Sequence, residues 1–217
     1  MSRNLLFDLD GTLTDPKDGI VRSVNYALGK FGLPACESSE IEPFIGPPLK
    51  ETFRAILDTN DDETLMRAVS WYRERYIARG YMENHVYDGI PELLAACRSA
   101  GFRLFIATSK RKDIAQQVLD HFGLAPAFEA VYGCDVDLSK TELLSILVRE
   151  NDLRVSDCLM IGDRRHDIEA GRANGMLTIG VLWGYGTLDE LIAAGSHYLT
   201  HTPAELSHVI NQTQAIL

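Results

Sequence analysis

Basic side chains are scarce in this sequence of 217 residues: 21 Lys and Arg stand against 31 Asp and Glu, giving a formal net charge of -10. This balance argues against a nucleic-acid polymer or an anionic membrane as the main partner. Long hydrophobic runs are also missing, so we expect no membrane-spanning helix. The chain enters its first predicted strand without a signal-peptide apolar region, and we expect a cytoplasmic protein.

Cysteines are few and scattered, at Cys36, Cys97, Cys134 and Cys158. No Cys-x-x-Cys pair occurs, which argues against a structural zinc site, and isolated cysteines favour a reducing compartment. Internal repeats and low-complexity segments are absent as well. With 46% hydrophobic and 24% charged residues, the composition is that of a globular protein, long enough for one domain plus an insert or for two small domains.

Two aspartates, Asp8 and Asp10, follow the short apolar stretch Leu5–Phe7, which we predict to be a buried strand. Residues two apart share a face of a strand, and an open α/β sheet places its ligand crevice at the strand's carboxyl end. Two carboxylates this close predict a bound cation or a shared proton. A hairpin turn at Asp10-Gly11 explains the same residues equally well, so this motif alone does not distinguish a ligand site from a turn.

The remainder of the chain divides into two patterns. From 16 to about 80, apolar residues recur at helical spacing, which predicts three or four helices, no strand, and a rigid loop at Gly46-Pro47-Pro48. From Tyr87 onwards, strands alternate with helices, which predicts a parallel sheet covered on both faces. We therefore predict an α/β core formed by 1–15 plus 86–217, with a helical insert of 16–85. The predicted strands after the insert are 103–107, 130–132, 158–161, 177–181 and 198–199.

Further polar residues follow predicted strands or begin helices: Thr108-Ser109, Lys140, and Gly162-Asp163 with Asp167. Each has a plain structural explanation. Thr108 or Ser109 could cap a helix, Lys140 could be solvated, and the two aspartates could sit in the first turn of a helix. All of them together, in this order behind Asp8 and Asp10, predict a ligand site instead.

The order of these motifs resembles the haloacid dehalogenase superfamily of phosphotransferases over almost the whole chain. Asp8 to Thr12 resembles its first motif, Thr108-Ser109 the second, Lys140 the third, and Gly162 to Asp167 the fourth. The resemblance implies a three-layer Rossmann-like parallel sheet core with an inserted α-helical cap of the first type. The stretch 160–199 is similar to the phosphoglycolate-phosphatase-like branch, and within it to bacterial enzymes described as 5'-nucleotidases.

The resemblance also implies a role for each motif residue. Asp8 is expected to attack phosphorus, and Asp10 to act as general acid and base. Mg²⁺ is expected to bind the carboxylates of Asp8 and Asp163 and the backbone carbonyl of Asp10, with Asp167 supporting the metal's waters or holding Lys140. The phosphoryl group is expected to bind Thr108, Ser109 and Lys140. The roles of Lys110, Arg164 and His166 stay open, as do those of Trp183 and Tyr185.

The implied activity is a Mg²⁺-dependent phosphatase for a small soluble phosphate ester. A nucleoside 5'-monophosphate is the first expected substrate and 2-phosphoglycolate the second. A sugar phosphomutase is an alternative, because such enzymes also keep an aspartate at the Asp10 position, and a binding protein on a phosphatase scaffold is a non-enzyme alternative. The protein is expected to be a monomer or a small homo-oligomer. Choice of the leaving group is expected to depend on four cap residues: Phe44, Gly46, Pro47 and Leu49.

Overall fold

The structure is a computed structural model that describes residues 4–134 and 138–216, with side chains described to 213. The chain divides into two compact units. The first comprises the residues up to Asp15 and from Val86 onwards, and the second comprises Pro16–His85. In the described part of the chain, no helix is both long enough and apolar enough to span a lipid bilayer.

The strands, in chain order, are β1 (Asn4–Phe7), β2 (Thr14–Asp15), β3 (His85–Val86), β4 (Arg103–Thr108), β5 (Ala130–Gly133), β6 (Cys158–Gly162), β7 (Leu177–Val181) and β8 (Tyr198–Thr200). Six of them form the main sheet, in the order β5-β4-β1-β6-β7-β8. Each recorded pairing in this sheet is parallel. The predicted α/β fold with a parallel sheet is therefore confirmed. β2 and β3 form a separate two-stranded sheet.

The α-helices, in chain order, are α1 (Lys17–Lys30), α2 (Ser38–Ile41), α3 (Leu49–Leu57), α4 (Asp62–Ala78), α5 (Ile90–Ser99), α6 (Lys112–His121), α7 (Lys140–Glu150), α8 (Arg165–Ala173), α9 (Leu188–Ala193) and α10 (Pro203–Ile216). Four short 3₁₀ helices cover Glu42–Phe44, Gly80–Glu83, Ala125–Ala127 and Val155–Asp157. The order of elements shows that helices α1 to α4 interrupt the sheet-forming part of the chain between β1 and β4.

The central strand β1 is apolar after Asn4, as expected for a strand that is enclosed by neighbouring strands and helices. Leu5, Leu6 and Phe7 of β1 are completely buried between β4 and β6. A strand covered on both faces has a continuous hydrophobic run instead of an alternating one. Leu6 belongs to one core cluster with Leu144 and Leu147 of α7, which fastens the helix carrying Lys140 to the sheet.

The strand register places the carboxyl ends of β1, β4 and β6, each followed by polar residues, side by side. Phe7 pairs with Ile106 of β4 and with Ile161 of β6. The Asp8 backbone N–H donates to the Ile161 carbonyl at 2.9 Å, so the chain leaves β1 beside the end of β6. The chain does turn at Gly11, whose N–H donates to the Thr14 carbonyl at 2.7 Å. The turn does not make β1 part of a hairpin, because both recorded partners of β1 are parallel and distant in sequence.

The second unit contains α1 to α4, with no strand between 16 and 84, as its sequence pattern predicts. Its buried residues include Val24 of α1, Phe53 of α3, and Leu65 of α4. Tyr72 and Tyr76 of α4 are also buried, with their rings stacked at 5.3 Å between centroids. The sequence did not predict β2 and β3, since a two-residue strand leaves no periodic signal.

Candidate active site

Asp8 and Asp167 share one lysine. The Lys140 ammonium lies 3.2 Å from Asp8 Oδ1, and it also forms an ion pair with Asp167 Oδ1. All three side chains are buried, with at most 8% of each residue exposed. Burial alone would lower the pKa of Lys140, but the charges of Asp167 and Asp8 outweigh it and raise that pKa. Lys140 is therefore held as a cation against two carboxylates.

The position of Lys140 is fixed by the start of α7. Ser139 precedes the helix, its hydroxyl accepts a hydrogen bond from the Glu142 N–H at 3.3 Å, and Glu142 accepts one in return from the Ser139 N–H at 2.9 Å. This reciprocal capping box defines the first residue of the helix. Lys140 is that residue, so its side chain leaves the helix at a defined point on the edge of the sheet.

Asp163 follows β6 and is completely buried. The Thr12 hydroxyl donates to its Oδ1 at 3.2 Å, and the Tyr185 backbone N–H donates to its Oδ2 at 2.8 Å. Burial, followed by the charges of Asp167 and Asp8, raises the pKa of Asp163 well above its usual value. Two hydrogen bonds thus orient a carboxylate whose negative charge is poorly compensated.

A glycine-rich loop, Trp183–Gly186, packs closely against Asp163. The Trp183 indole N–H donates to the Thr12 carbonyl at 3.0 Å. A Cβ on Gly184 would lie 2.3 Å from the Gly11 carbonyl oxygen and 2.5 Å from Asp163 Oδ2, and one on Gly186 would lie 1.8 Å from the Asp163 carbonyl oxygen. Side chains at these two positions are sterically excluded, so this loop sets the position of Asp163.

Asp10 pairs with a different lysine from Asp8. The Lys110 ammonium lies 2.8 Å from Oδ1 and 2.8 Å from Oδ2 of Asp10. Burial raises the pKa of Asp10, although Lys110 opposes the shift. The sequence predicted a cation or a shared proton to relieve repulsion between Asp8 and Asp10. The structure shows a separate lysine on each carboxylate, and the bound cation stays a prediction.

Thr108 ends β4 and is buried beneath the loop that begins there. Its hydroxyl accepts a hydrogen bond from the Lys110 N–H at 3.3 Å. Because a hydroxyl also has a proton to donate, Thr108 can still donate a hydrogen bond to a ligand oxygen. Ser109 follows it and is half-buried.

The acidic residues fit a divalent cation. Asp8, Asp163 and Asp167 each offer a carboxylate oxygen, and these oxygens lie within 4.8 Å of one another. Mg²⁺ prefers such hard oxygen ligands, together with waters. Counting Asp10 as well, four aspartates lie in this set against two lysines, Lys140 and Lys110. Asp167, predicted to support the metal or hold Lys140, is placed where it can do both.

The remaining predicted residues lie outside this cluster. Arg164 is tied to Glu190 at 2.9 Å, and burial lowers the pKa of His166. In the second unit, the four residues predicted to choose the leaving group lie around the start of α3: Phe44, Gly46, Pro47 and Leu49. All four are half-buried there, and Gly46 has a φ of +105°.

Three contacts of the site were not predicted from the sequence. Lys110 was left open because a loop lysine is usually solvated, and Thr12 was not assigned beyond the first motif. The Tyr185 contact uses a backbone N–H, which any residue except proline would provide. The sequence signal that could have found this loop is the pair of glycines at 184 and 186, since glycines permit close backbone approach.

Comparisons with known proteins agree with this geometry. Residues 5–181 match the family described as haloacid dehalogenase-like hydrolases. A 5'-nucleotidase of Pseudomonas aeruginosa is 44% identical over 207 residues, covering 94% of this chain and 92% of that protein. The tyrosine-protein kinase PtkA of Mycobacterium tuberculosis is 40% identical over 200 residues, covering 91% of this chain and 68% of that protein.

A comparison with solved structures also finds a similar phosphatase. The crystal structure of a predicted phosphatase from Clostridium acetobutylicum superposes with a TM-score of 0.92 and 38% identity, covering 98% of this chain and 99% of that one. The resemblance read from the motifs is thereby confirmed, and the non-enzyme alternative is set aside. The chain belongs to the haloacid dehalogenase-like hydrolase family, and within it to the phosphatases that hydrolyse phosphoric monoesters.

Proposed function

We propose that this phosphatase hydrolyses a small soluble phosphate monoester through an aspartyl-phosphate formed on Asp8, with Mg²⁺ as cofactor. One observation carries the proposal. Asp8, Asp163 and Asp167 lie together with Lys140 at the carboxyl edge of the sheet, close enough to bind one divalent cation. Phosphoryl transfer needs a nucleophile and concentrated positive charge on the transferring oxygens. In this cluster Asp8 would supply the nucleophile, and Lys140 together with a bound cation would supply the positive charge.

In the first step, a carboxylate oxygen of Asp8 attacks phosphorus, and the bond from phosphorus to the ester oxygen breaks. Asp10 gives its proton to that oxygen, which leaves as the alcohol. In the second step, Asp10 takes a proton from water, whose oxygen attacks the phosphorus of the aspartyl-phosphate. Phosphate leaves and Asp8 is regenerated. The raised pKa of Asp10 suits an acid that must hold a proton before the first step.

The other residues bind and hold the phosphoryl group. Lys140 neutralises the nucleophile and a phosphoryl oxygen, and Asp167 keeps its ammonium in place. Thr108 donates its hydroxyl proton to another phosphoryl oxygen, next to Ser109. Asp8, Asp163 and the Asp10 carbonyl would hold Mg²⁺, with Asp167 in support. When bound, Mg²⁺ neutralises charge on the phosphoryl oxygens.

For the substrate we propose a nucleoside 5'-monophosphate first and 2-phosphoglycolate second. The first choice is supported by the name of the Pseudomonas aeruginosa relative, which covers nearly the whole chain. The second is supported by a relative named phosphoglycolate phosphatase from Vibrio parahaemolyticus, at 25% identity. The second unit, Pro16–His85, is proposed to act as the cap that selects the leaving group.

A panel of purified phosphate esters tests this proposal. Nucleoside 5'-monophosphates, 2-phosphoglycolate, sugar phosphates and ATP are assayed for phosphate release, with Mg²⁺ and after exhaustive EDTA treatment. We expect the highest kcat/KM for a nucleoside 5'-monophosphate and no turnover without the metal. Full activity in EDTA would contradict the metal assignment. Conversion of a sugar 1-phosphate to its 6-phosphate, with little phosphate release, would instead identify a mutase.

A further inference from the structure

Lys110 lies in a turn that its neighbours fix on both sides. Its backbone N–H donates to the Thr108 hydroxyl at 3.3 Å, and its carbonyl accepts from the Cys134 N–H at 3.1 Å. The end of β5 packs directly on this turn. A Cβ on Gly133 would lie 2.4 Å from the Lys110 carbonyl oxygen and 2.5 Å from the Lys112 nitrogen. The backbone that carries the Lys110 side chain is therefore held in one position.

The Lys110 side chain is directed at Asp10 and at both of its oxygens. The ammonium is 2.8 Å from each of them, and the side chains of Lys110 and Asp10 are only 9% and 12% exposed. A charge-assisted contact of this length is a strong one. Two contacts to one carboxylate also fix its rotation, which a single contact leaves open.

The two lysines separate the two aspartates. Lys140 contacts Asp8, and Lys110 contacts Asp10. They come from different elements, the first turn of α7 and the loop after β4. Asp8 and Asp10 therefore each contact a lysine of their own, although only one residue separates them in the sequence.

We propose that Lys110 is a positioning residue that holds the Asp10 carboxyl group in the orientation from which it protonates the leaving oxygen. This inference rests on the proposed function of Asp10 as general acid. A positioned acid matters most when the leaving group is a poor one, because a good leaving group departs without a proton. The fall in rate caused by removing Lys110 should therefore depend on the leaving group, and the experiment measures this dependence.

The experiment compares K110M, K110R and D10N with the wild type on two substrates, p-nitrophenyl phosphate and an alkyl phosphate. For K110M we expect a loss of kcat/KM of about 100-fold on the alkyl phosphate and less than about fivefold on p-nitrophenyl phosphate. The quantity compared is kcat/KM because it ends with departure of the alcohol and excludes the second step, in which Asp10 acts as a base on both substrates. K110R, whose guanidinium can contact both carboxylate oxygens, should recover much of the loss. Any unfolded fraction cancels, because each preparation is assayed on both substrates.

The matched control is K112M, since Lys112 lies two residues further along, is exposed, and is not part of the site. It should leave both rates unchanged. Inhibition by inorganic phosphate should be nearly the same in K110M as in the wild type.

The outcomes separate the two proposals. If D10N shows the leaving-group dependence and K110M loses equally on both substrates, the Lys110 inference is overturned and the proposed function stands. If D10N itself loses kcat/KM equally on both substrates, Asp10 is not the general acid, and the Lys110 inference is overturned with it. A K110M enzyme with normal kcat, raised KM and weak phosphate inhibition would make Lys110 a phosphate-binding residue instead.

Discussion

At the scale of single residues, the site is organised by ion pairs in which neighbouring carboxylates contact different lysines. Asp8 and Asp10 are separated by one residue, yet each contacts its own lysine. Removing a charge from such a buried set leaves its partner uncompensated, which costs more than an exposed pair would. Substitutions here are therefore best made isosteric, so that loss of chemistry is not confused with loss of folding.

Asp8→Asn should lower kcat by more than about a thousandfold, because it removes the nucleophile while leaving a side chain of the same shape. The measurement is turnover of p-nitrophenyl phosphate, with the melting temperature taken on the same preparation. Asp120→Asn is the control, since Asp120 is an exposed residue of α6. Turnover within about tenfold of wild type in Asp8→Asn would rule out Asp8 as the nucleophile.

At the scale of elements, the Trp183–Gly186 loop fixes Asp163. Gly184→Ala should weaken Mg²⁺ or Mn²⁺ binding at least tenfold, by analogy with about 10- to 100-fold losses when groups that orient metal ligands are removed. The physical reason is the added Cβ, which would lie 2.5 Å from Asp163 Oδ2 and force the carboxylate or the loop to move. Isothermal titration calorimetry measures this affinity without reference to turnover.

Gly29→Ala is the matched control for that substitution. A Cβ at Gly29, within α1, meets nothing within 4 Å. Alanine is favoured over glycine in a helix by about 1 kcal/mol, so this variant should be slightly more stable and bind metal normally. Equal metal affinities in Gly184→Ala and Gly29→Ala would show that the loop does not set the position of Asp163.

The sequence predicted the elements whose apolar residues recur at regular spacing. It failed at contacts made by main-chain atoms or by side chains whose partners are remote in sequence. The helix at 140–150 and the strand at 177–181 were predicted with the bounds they have, because apolar spacing marks them clearly. The Tyr185 N–H contact was missed because its donor belongs to the main chain. Lys110 was missed because its partner is remote in sequence, and no local pattern distinguishes a buried loop lysine from a solvated one.

At the scale of the whole molecule, substrate choice and chemistry are expected to belong to different units. Substituting Pro47 and Leu49 should change the ranking of phosphate esters by kcat/KM. Phosphate inhibition and metal affinity should stay nearly unchanged, because Thr108, Lys140 and Asp163 belong to the first unit. An unchanged ranking combined with weakened metal binding would contradict a selecting role for this loop.

Stability should fall in mildly acidic solution partly through His197, far from the reacting groups. Its Nδ1 accepts from the Thr178 N–H at 3.2 Å. Burial, reinforced by Arg172, lowers the pKa of His197. The unfolded chain therefore binds a proton near pH 6.5 that the folded chain does not, and this part of the stability is lost as the pH falls below that value.

The effect is expected to be small, since only a minor part of the His197 side chain is buried and solvent screens its charge. His197→Asn keeps an acceptor near the Nδ1 position but does not titrate. Urea unfolding at pH 7.5 and pH 5 should show a larger drop in free energy for the wild type than for His197→Asn. An equal drop in the free energy of unfolding for both proteins would show that His197 does not contribute to the pH dependence.

The central place of β1 has a consequence for the growing chain on the ribosome. Asn4 of β1 pairs with Cys158 of β6, so β1 lacks one of its two neighbours until β6 has been synthesised. Until then one side of β1 is an unpaired apolar edge, of the kind that invites association with other chains. Such non-local pairing also slows folding. We expect newly made molecules to depend on chaperones over this interval, and to acquire activity only after synthesis has passed Asp167.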